Sequence, residues 1–141
     1  TDELAQRIRS KKYNVMRYYG DPAGLQAQGQ SGVGDIEIFR KMGIVVNTIT
    51  DKASRSITAG VNHVRSFIEN ANGERYLHLN NNCTGMAEDL ESYRYPEAQD
   101  SKPLKQEPLK DGYHDHGNDA FRYFILNRFP MRNQEMKRIQ R

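Results

Sequence analysis

Cysteine is almost absent from this sequence of 141 residues, and tryptophan is missing altogether. The one thiol, Cys83, excludes an internal disulfide framework and a zinc site built from several thiolates. It favours a protein that works in a reducing compartment. We interpret Cys83 itself as an ordinary core thiol, because no activating partner lies beside it in the sequence.

Long hydrophobic runs are also missing. The longest apolar stretches lie around residues 44–46 and 124–126, whereas a membrane-spanning helix needs roughly 18–20 such residues, so we expect no membrane partner. The N-terminus, Thr1-Asp2-Glu3-Leu4, lacks the apolar segment of a signal peptide. Since the chain does not begin with methionine, we expect it to be a processed or excised piece of a longer protein.

A strong charge of either sign is lacking too. Lysine and arginine number 21 and aspartate and glutamate 18, which gives a net charge of +3. This balance permits nucleic-acid binding without requiring it, and it argues against a histone-like protein that coats DNA by charge alone. The sequence contains no GxxxxGK[S/T] phosphate-binding loop, and the glycine pair around Val33 is not followed by the required lysine. Nucleotide hydrolysis by that route is therefore excluded.

Helical and strand patterns alternate along the chain, which is typical of an α/β fold with parallel strands. Periodicity and turn residues predict helices at residues 1–12, 35–42, 54–70, 82–93 and 115–129, and strands at residues 13–19, 44–49 and 75–79. Thr1 is predicted to cap the first helix and Gly43 to end the second. Residues 24–34 and 96–108 are predicted to be surface loops. The inward helix faces are predicted to be formed by Leu4, Ala5 and Ile8, by Ile57, Val61, Val64 and Ile68, and by Ala120, Phe124 and Ile125.

Asp21 directly follows the first predicted strand, in the segment Tyr18-Tyr19-Gly20-Asp21-Pro22-Ala23. In α/β sheets, ligands bind at the carboxyl ends of strands, so a carboxylate here is well placed to bind one. Aspartate before proline is also a common initiator of turns. Taken alone, the pattern favours the turn over the ligand site.

A denser acidic cluster occupies residues 111–120, which read Asp-Gly-Tyr-His-Asp-His-Gly-Asn-Asp-Ala. Asp115 and Asp119 are four residues apart, and His116 precedes Asp119 by three, so these side chains share adjoining parts of one helix surface. The two carboxylates repel each other unless a cation lies between them. Asp115 would equally serve as a helix N-cap, with its neighbours in a solvated first turn. The sequence leaves both interpretations open.

If the cluster binds a metal, its chemistry favours Mg²⁺ or Mn²⁺. Carboxylate oxygens with at most one imidazole suit these hard ions better than zinc. His114 and His116 are two apart and point away from each other on a helix, which disfavours zinc. The remaining histidines, His63 and His78, are interpreted as surface or packing residues. Packing is also the default interpretation of the tyrosines at positions 18, 19, 93 and 95.

Two motifs together resemble the C-terminal nuclease domain of the large terminase subunit of tailed bacteriophages. One is Tyr19-Gly20-Asp21-Pro22-Ala23 after a strand, and the other is the closing run Asp115-His116-Gly117-Asn118-Asp119-Ala120-Phe121-Arg122-Tyr123. The order of the segments between them, Arg40–Ile44, Val61–Arg65 and Tyr93–Tyr95, also fits that family. The closing motif is the more specific of the two, and the resemblance spans about residues 2–129.

The resemblance implies an RNase H-like mixed sheet flanked by helices, and a two-metal endonuclease that uses Mg²⁺ or Mn²⁺ to cut concatemeric duplex DNA. It implies that Asp21 matches the second acidic metal ligand and Asp119 the third, with Asp115 and His116 beside them as an auxiliary ligand and a proton-handling group. The family's first ligand lies on a leading strand that this chain does not contain. Residues 1–129 would then be the C-terminal part of a nuclease domain, and residues 130–141 a basic tail.

The same resemblance implies duplex DNA as a partner, together with the ATPase domain of the same full-length chain, the portal and the small terminase subunit, in the cytoplasm of the host cell. Phosphate contacts would come from basic side chains. Candidates are Lys52, Arg55, Lys102 and Lys105, with Arg132, Lys137, Arg138 and Arg141 in the tail. Two alternatives remain open: another RNase H-like nuclease of the resolvase or transposase type, and a non-catalytic DNA-binding or docking module.

Overall fold

The computed structural model describes residues 1–28, 32–50, 56–96, 107–108 and 111–131. Within these residues the chain forms five α-helices, one short 3-10 helix and four short strands. Their order is α1 (Asp2–Ser10), β1 (Tyr18–Tyr19), the 3-10 helix (Pro22–Leu25), β2 (Ala27–Gln28), β3 (Val33–Gly34), α2 (Asp35–Lys41), β4 (Val46–Asn47), α3 (Ile57–Ile68), α4 (Thr84–Ser92) and α5 (Asp115–Arg128). The chain divides into two compact units, Thr1–Thr50 and Asp51–Arg141. No helix in the described part of the chain has the length and apolar character needed to cross a membrane.

In the first unit, β1 and β4 pair in parallel, as the alternation of helices and strands predicts. Tyr18 is opposite Val46 and Tyr19 is opposite Asn47. The Asn47 side chain adds a bond at this pair, since its Nδ2 donates to the Tyr18 carbonyl at 3.1 Å. The mixed α/β class is therefore confirmed, and the described strands form one parallel pair and one antiparallel pair, in separate sheets.

Helix α2 follows β3 and precedes β4, and it contributes Ile36 to the buried residues of the first unit. It ends at Lys41, and Gly43 has a φ of +80°, a left-handed conformation that glycine adopts without strain, so the predicted helix end is confirmed. Ala5 of α1, Ile36 of α2 and Ile44 form the buried apolar residues of this unit. The Thr1 side chain does not cap α1, because its hydroxyl donates instead to the Asp35 carboxylate.

The predicted strands 13–19 and 44–49 are confirmed only in part, since the second pairs only at Val46–Asn47, and the predicted strand 75–79 is wrong. Only Tyr18–Tyr19 of the predicted strand 13–19 pairs, and Met16 is 92% exposed, because nothing in the described chain covers this segment. Residues 75–79 form no strand. The backbone N–H groups of Tyr76 and Leu77 both donate to the Phe67 carbonyl, which ties this segment to the end of α3.

The predicted loop 24–34 also differs from the structure. Ala27–Gln28 and Val33–Gly34 pair as a short antiparallel ladder, so the segment folds back on itself. Gly34 fits tightly there, since an added Cβ would lie 2.9 Å from the carbonyl oxygens of Gly24 and Leu25. The other predicted loop, residues 96–108, lies largely outside the described residues.

The described residues of the second unit include three helices, and α5 packs against both α3 and α4. The buried apolar residues of this unit are Val61 and Val64 of α3 and Ile125 and Leu126 of α5. Ser56 is the N-cap of α3, and its Oγ accepts a bond from the Ala59 N–H at 3.3 Å. Helices α3 and α5 approach each other closely at Gly60, where an added Cβ would lie 2.9 Å from Arg122 Cδ and 3.1 Å from Leu126 Cδ1.

Adding a methyl group at Gly60 is expected to destabilise the protein, because Arg122 and Leu126 are both buried and have little room to move. We expect Gly60→Ala to lower the free energy of unfolding by about 1–2 kcal/mol. Gly85, in α4, is a matched control, since nothing lies within 4 Å of its added Cβ. Gly85→Ala should raise stability by up to about 1 kcal/mol through helix propensity. Urea unfolding of both variants checks this, and equal stabilities would contradict the close approach.

Candidate functional site

The turn before α5 sets where that helix begins. Asp111 Oδ1 accepts bonds from the backbone N–H groups of Tyr113 and His114, at 2.9 and 2.8 Å. His114 is the N-cap residue but makes no side-chain cap, and Asp115 is the first residue of the helix. Asp115 is therefore not the N-cap, and at 7% exposure it is not part of a solvated turn either.

The inward face of α5 is largely polar. Asp115, Asn118 and Arg122 are 7%, 5% and 4% exposed and lie three and four residues apart, on one side of the helix. The predicted apolar face is wrong in part: Ile125 is buried, whereas Ala120 is exposed and Phe124 is 40% exposed. Burying a polar side chain costs free energy unless hydrogen-bond or charge partners compensate the lost hydration. The partners of these three side chains therefore define the site.

Asp119 and Arg122 form an ion pair at this face. Arg122 Nη2 donates to Asp119 Oδ1 at 2.7 Å, across one turn of α5. Burial opposes the charged form of Arg122, but the hydrogen bond and charge of Asp119 outweigh it and hold the pKa of the guanidinium above its usual value. The Arg122 guanidinium also lies 4.7 Å from the centre of the Tyr123 ring.

Two buried polar atoms beside this pair have no hydrogen-bond partner in the described structure. They are Asp115 Oδ1 and Arg122 Nε. A buried unsatisfied carboxylate oxygen is costly, on the order of 1–3 kcal/mol or more. Such an atom fits a site at which a cation or a hydrogen-bond donor supplies the missing partner. A carboxylate oxygen is also the kind of ligand that Mg²⁺ and Mn²⁺ prefer.

Helix α4 contributes a second carboxylate that the sequence reasoning missed. An added Cβ on Gly117 would lie 1.8 Å from Asp89 Oδ2, so the Asp89 side chain occupies the space that this glycine leaves open. Asn118 Nδ2 donates to the Asp89 carbonyl at 2.6 Å and to the His114 carbonyl at 2.9 Å. The Gly-Asn pair inside the closing motif is the only signal in the sequence that could have indicated this close packing.

The ionisable side chains near the start of α5 include a histidine–aspartate pair, a tyrosine and an exposed histidine. His114 Nδ1 lies 2.7 Å from Asp111 Oδ2, and that hydrogen bond raises the pKa of the imidazole and lowers the pKa of the Asp111 carboxyl. Burial, and then the charge of Asp119, raises the pKa of the Tyr93 hydroxyl. The His116 side chain is exposed.

Asp21 belongs to the first unit, where it stands at the end of β1. Its Oδ1 accepts a bond from the Ala23 N–H at 2.8 Å and so caps the 3-10 helix Pro22–Leu25, which confirms the turn interpretation. The cap uses one carboxylate oxygen, and the side chain is exposed. Asp21 also lines a cleft of about 430 Å³ together with Tyr18, Tyr19 and Ile36.

The predicted site residues thus fall on two elements. Asp115, His116 and Asp119 share the start of α5 in the second unit, and Asp21 ends β1 in the first. Among the residues that the structure describes, no group of three or more His, Cys, Asp or Glu side chains is arranged to hold a metal ion. The predicted DNA contacts Lys52, Arg55, Lys102 and Lys105, and the four basic tail residues, lie outside the described residues.

Cys83, His63 and His78 are predicted to have packing or surface roles, and the structure shows where each one lies. Cys83 is exposed at the start of α4, so the prediction of a core thiol is wrong. His63 has a packing role, since its Nε2 lies 2.6 Å from the Phe129 carbonyl and its ring contacts Phe67 edge-on. His78 is exposed and lies in no strand.

Comparison with known proteins identifies one relationship. The model of a family described as the terminase RNase H-like domain matches residues 2–128 of this chain. No curated protein and no solved structure matches it. The matched segment contains β1 with Asp21 and the whole of α5 with Asp115 and Asp119.

Proposed function

We propose, because the chain belongs to the family of terminase RNase H-like domains, that it is a metal-dependent endonuclease domain that cuts concatemeric duplex phage DNA. The family assignment makes it a nuclease-type terminase domain. The observation that carries the metal dependence is the buried Asp115 oxygen that lacks a hydrogen-bond partner in the described structure, one turn before the partly buried Asp119 and its ion-pair partner Arg122.

In this proposal, Asp21 and Asp119 are metal ligands, Asp115 is an auxiliary ligand, and His116 handles protons at the exposed side of α5. Two divalent ions would supply an activated water and stabilise the leaving oxygen of the phosphodiester. Clustered carboxylates repel one another, and the charge of the ions overcomes that repulsion.

The partners proposed for this domain follow from its family. They are duplex DNA, the ATPase domain of the same full-length chain, the portal and the small terminase subunit, in the host cell cytoplasm. Lys52, Arg55, Lys102 and Lys105 would contact the phosphate backbone without reading the sequence. The basic tail would add contacts to DNA or to another subunit.

The test is cleavage of supercoiled plasmid DNA, measured as conversion to nicked and linear forms. We expect cutting with Mn²⁺ or Mg²⁺ and none after chelation with EDTA. The assay compares this chain with the longest natural form of the protein. Cutting that survives chelation would overturn the metal-dependent mechanism.

Two other outcomes would point to the alternative functions. Preference for branched over linear duplex DNA would indicate a nuclease of the resolvase type. Salt-sensitive DNA binding without cutting, by the longest natural form in the presence of Mn²⁺, would indicate a non-catalytic binding module.

A further inference from the structure

Arg122 is a cation placed almost entirely inside the second unit. The residue is 4% exposed, and its Nη2 donates a hydrogen bond to Asp119 Oδ1 at 2.7 Å. Asp119 precedes it by three residues, so both project from the same side of α5. The only carboxylate recorded within ion-pair distance of Arg122 in the described structure is the one that we propose as a metal ligand.

Helix α3 makes room for the stem of this side chain. An added Cβ at Gly60 would lie 2.9 Å from Arg122 Cδ and 3.2 Å from Cγ. The aliphatic part of Arg122 therefore crosses α3 at a position without a side chain, and Leu126 packs beside it. These contacts fix the direction in which the guanidinium approaches Asp119.

Stability alone does not account for a guanidinium at this position. Desolvating an ion pair is costly, and an apolar side chain of similar volume in its place is often neutral or stabilising. Arg122 Nε also remains buried without a hydrogen-bond partner. A guanidinium buried at such a desolvation cost fits a role in function. A planar guanidinium orients a carboxylate in a way that no apolar side chain can.

Building on the proposed function, we propose that Arg122 is a positioning residue, which holds the Asp119 carboxylate in one orientation for the divalent cation. Groups that hydrogen-bond to ligating carboxylates fix their orientation, and losing such a group typically costs about 10–100-fold in metal affinity or activity. Gly60 supports the same arrangement by leaving space for the Arg122 stem.

The first measurement needs neither DNA nor metal. Three-bond NMR couplings across χ1 of Asp119 are recorded in the metal-free protein and in Arg122→Met, which keeps the stem and removes the guanidinium. We expect one dominant Asp119 rotamer in the unchanged protein and a measurably different rotamer distribution in Arg122→Met. A single unchanged rotamer in Arg122→Met would overturn the inference.

The second measurement follows Mn²⁺ by paramagnetic broadening of the Asp119 resonances and by plasmid cleavage, in the longest natural form of the protein. We expect Arg122→Met to need about 10–100-fold more Mn²⁺ for half-maximal effect. Arg122→Lys should recover part of that loss, since it restores the charge without the planar fork. Arg128→Met is the control, because Arg128 is exposed on the same helix and lies against the Phe129 ring. This variant should have the same Mn²⁺ requirement as the unchanged protein.

The possible failures are distinguishable. If the unchanged protein neither binds Mn²⁺ near Asp119 nor cuts DNA, the proposed function fails. If it does both and Arg122→Met has the same Mn²⁺ requirement, only the positioning role fails. Should Arg122→Met not fold, Arg122→Gln, which keeps hydrogen-bond donors but no charge, replaces it in the comparison.

Discussion

Replacing Asp119 by asparagine is expected to lower Mn²⁺-dependent DNA cleavage about 100-fold or more, because a metal ligand contributes several kcal/mol of transition-state stabilisation. Asp21→Asn is expected to have an effect of the same order, measured as the initial rate of plasmid nicking. Asparagine is preferable to alanine at position 119. Its side-chain oxygen still accepts a bond from Arg122, whereas Asp119→Ala would leave that guanidinium unpaired, at a cost of about 3–5 kcal/mol.

Matched controls separate loss of a ligand from loss of charge. Asp2, in the first turn of α1, and Glu91, in α4, are both exposed carboxylates. Asp2→Asn and Glu91→Gln should cut at nearly the unchanged rate, and thermal melting should show that Asp119→Asn remains folded. Full activity in both Asp21→Asn and Asp119→Asn would reject the assignment of the site.

Removing the Ile125 side chain beyond its Cβ is expected to lower the free energy of unfolding by about 2–5 kcal/mol. Ile125 is 2% exposed, on the face of α5 that packs into the second unit. Truncation there removes apolar burial and leaves a cavity that the neighbouring helices can fill only partly. The measurement is urea unfolding of Ile125→Ala followed by circular dichroism.

Ile68 offers the same chemical change at an exposed position. It is the last residue of α3 and is 41% exposed, so Ile68→Ala should cost only about 1 kcal/mol. If the two alanine variants lose the same stability, then α5 does not form the core of the second unit in solution.

Several features of the fold could be predicted because they depend on local signals. Gly43 ends α2, since a left-handed conformation after a helix is a short-range preference of glycine. Val61 and Val64 are buried at the spacing that a helical repeat requires. The closing motif, residues 115–123, also indicated the family, because a motif is a run of residue types that can be read without knowing any tertiary contact.

Other features could not be predicted, since they depend on residues distant in sequence. Whether residues 75–79 pair as a strand depends on what their N–H groups meet, and they meet the Phe67 carbonyl. Asp89 could not be linked to α5 from the sequence, because only the packing of α4 places its carboxylate against Gly117.

The sequence by itself determined the order of the five described α-helices, the presence of parallel strand pairing and the membership in a terminase family. The helices follow from local backbone preferences, the parallel pairing from the alternation of helices and strands, and the family from residue motifs. Only the tertiary structure decided which side of α5 is buried. A hydrophobic pattern favours Phe124 and Ala120, whereas the folded chain buries Asp115, Asn118 and Arg122. Burial of a polar group is compensated only by partners from other turns and helices, and those partners exist only once the chain has folded.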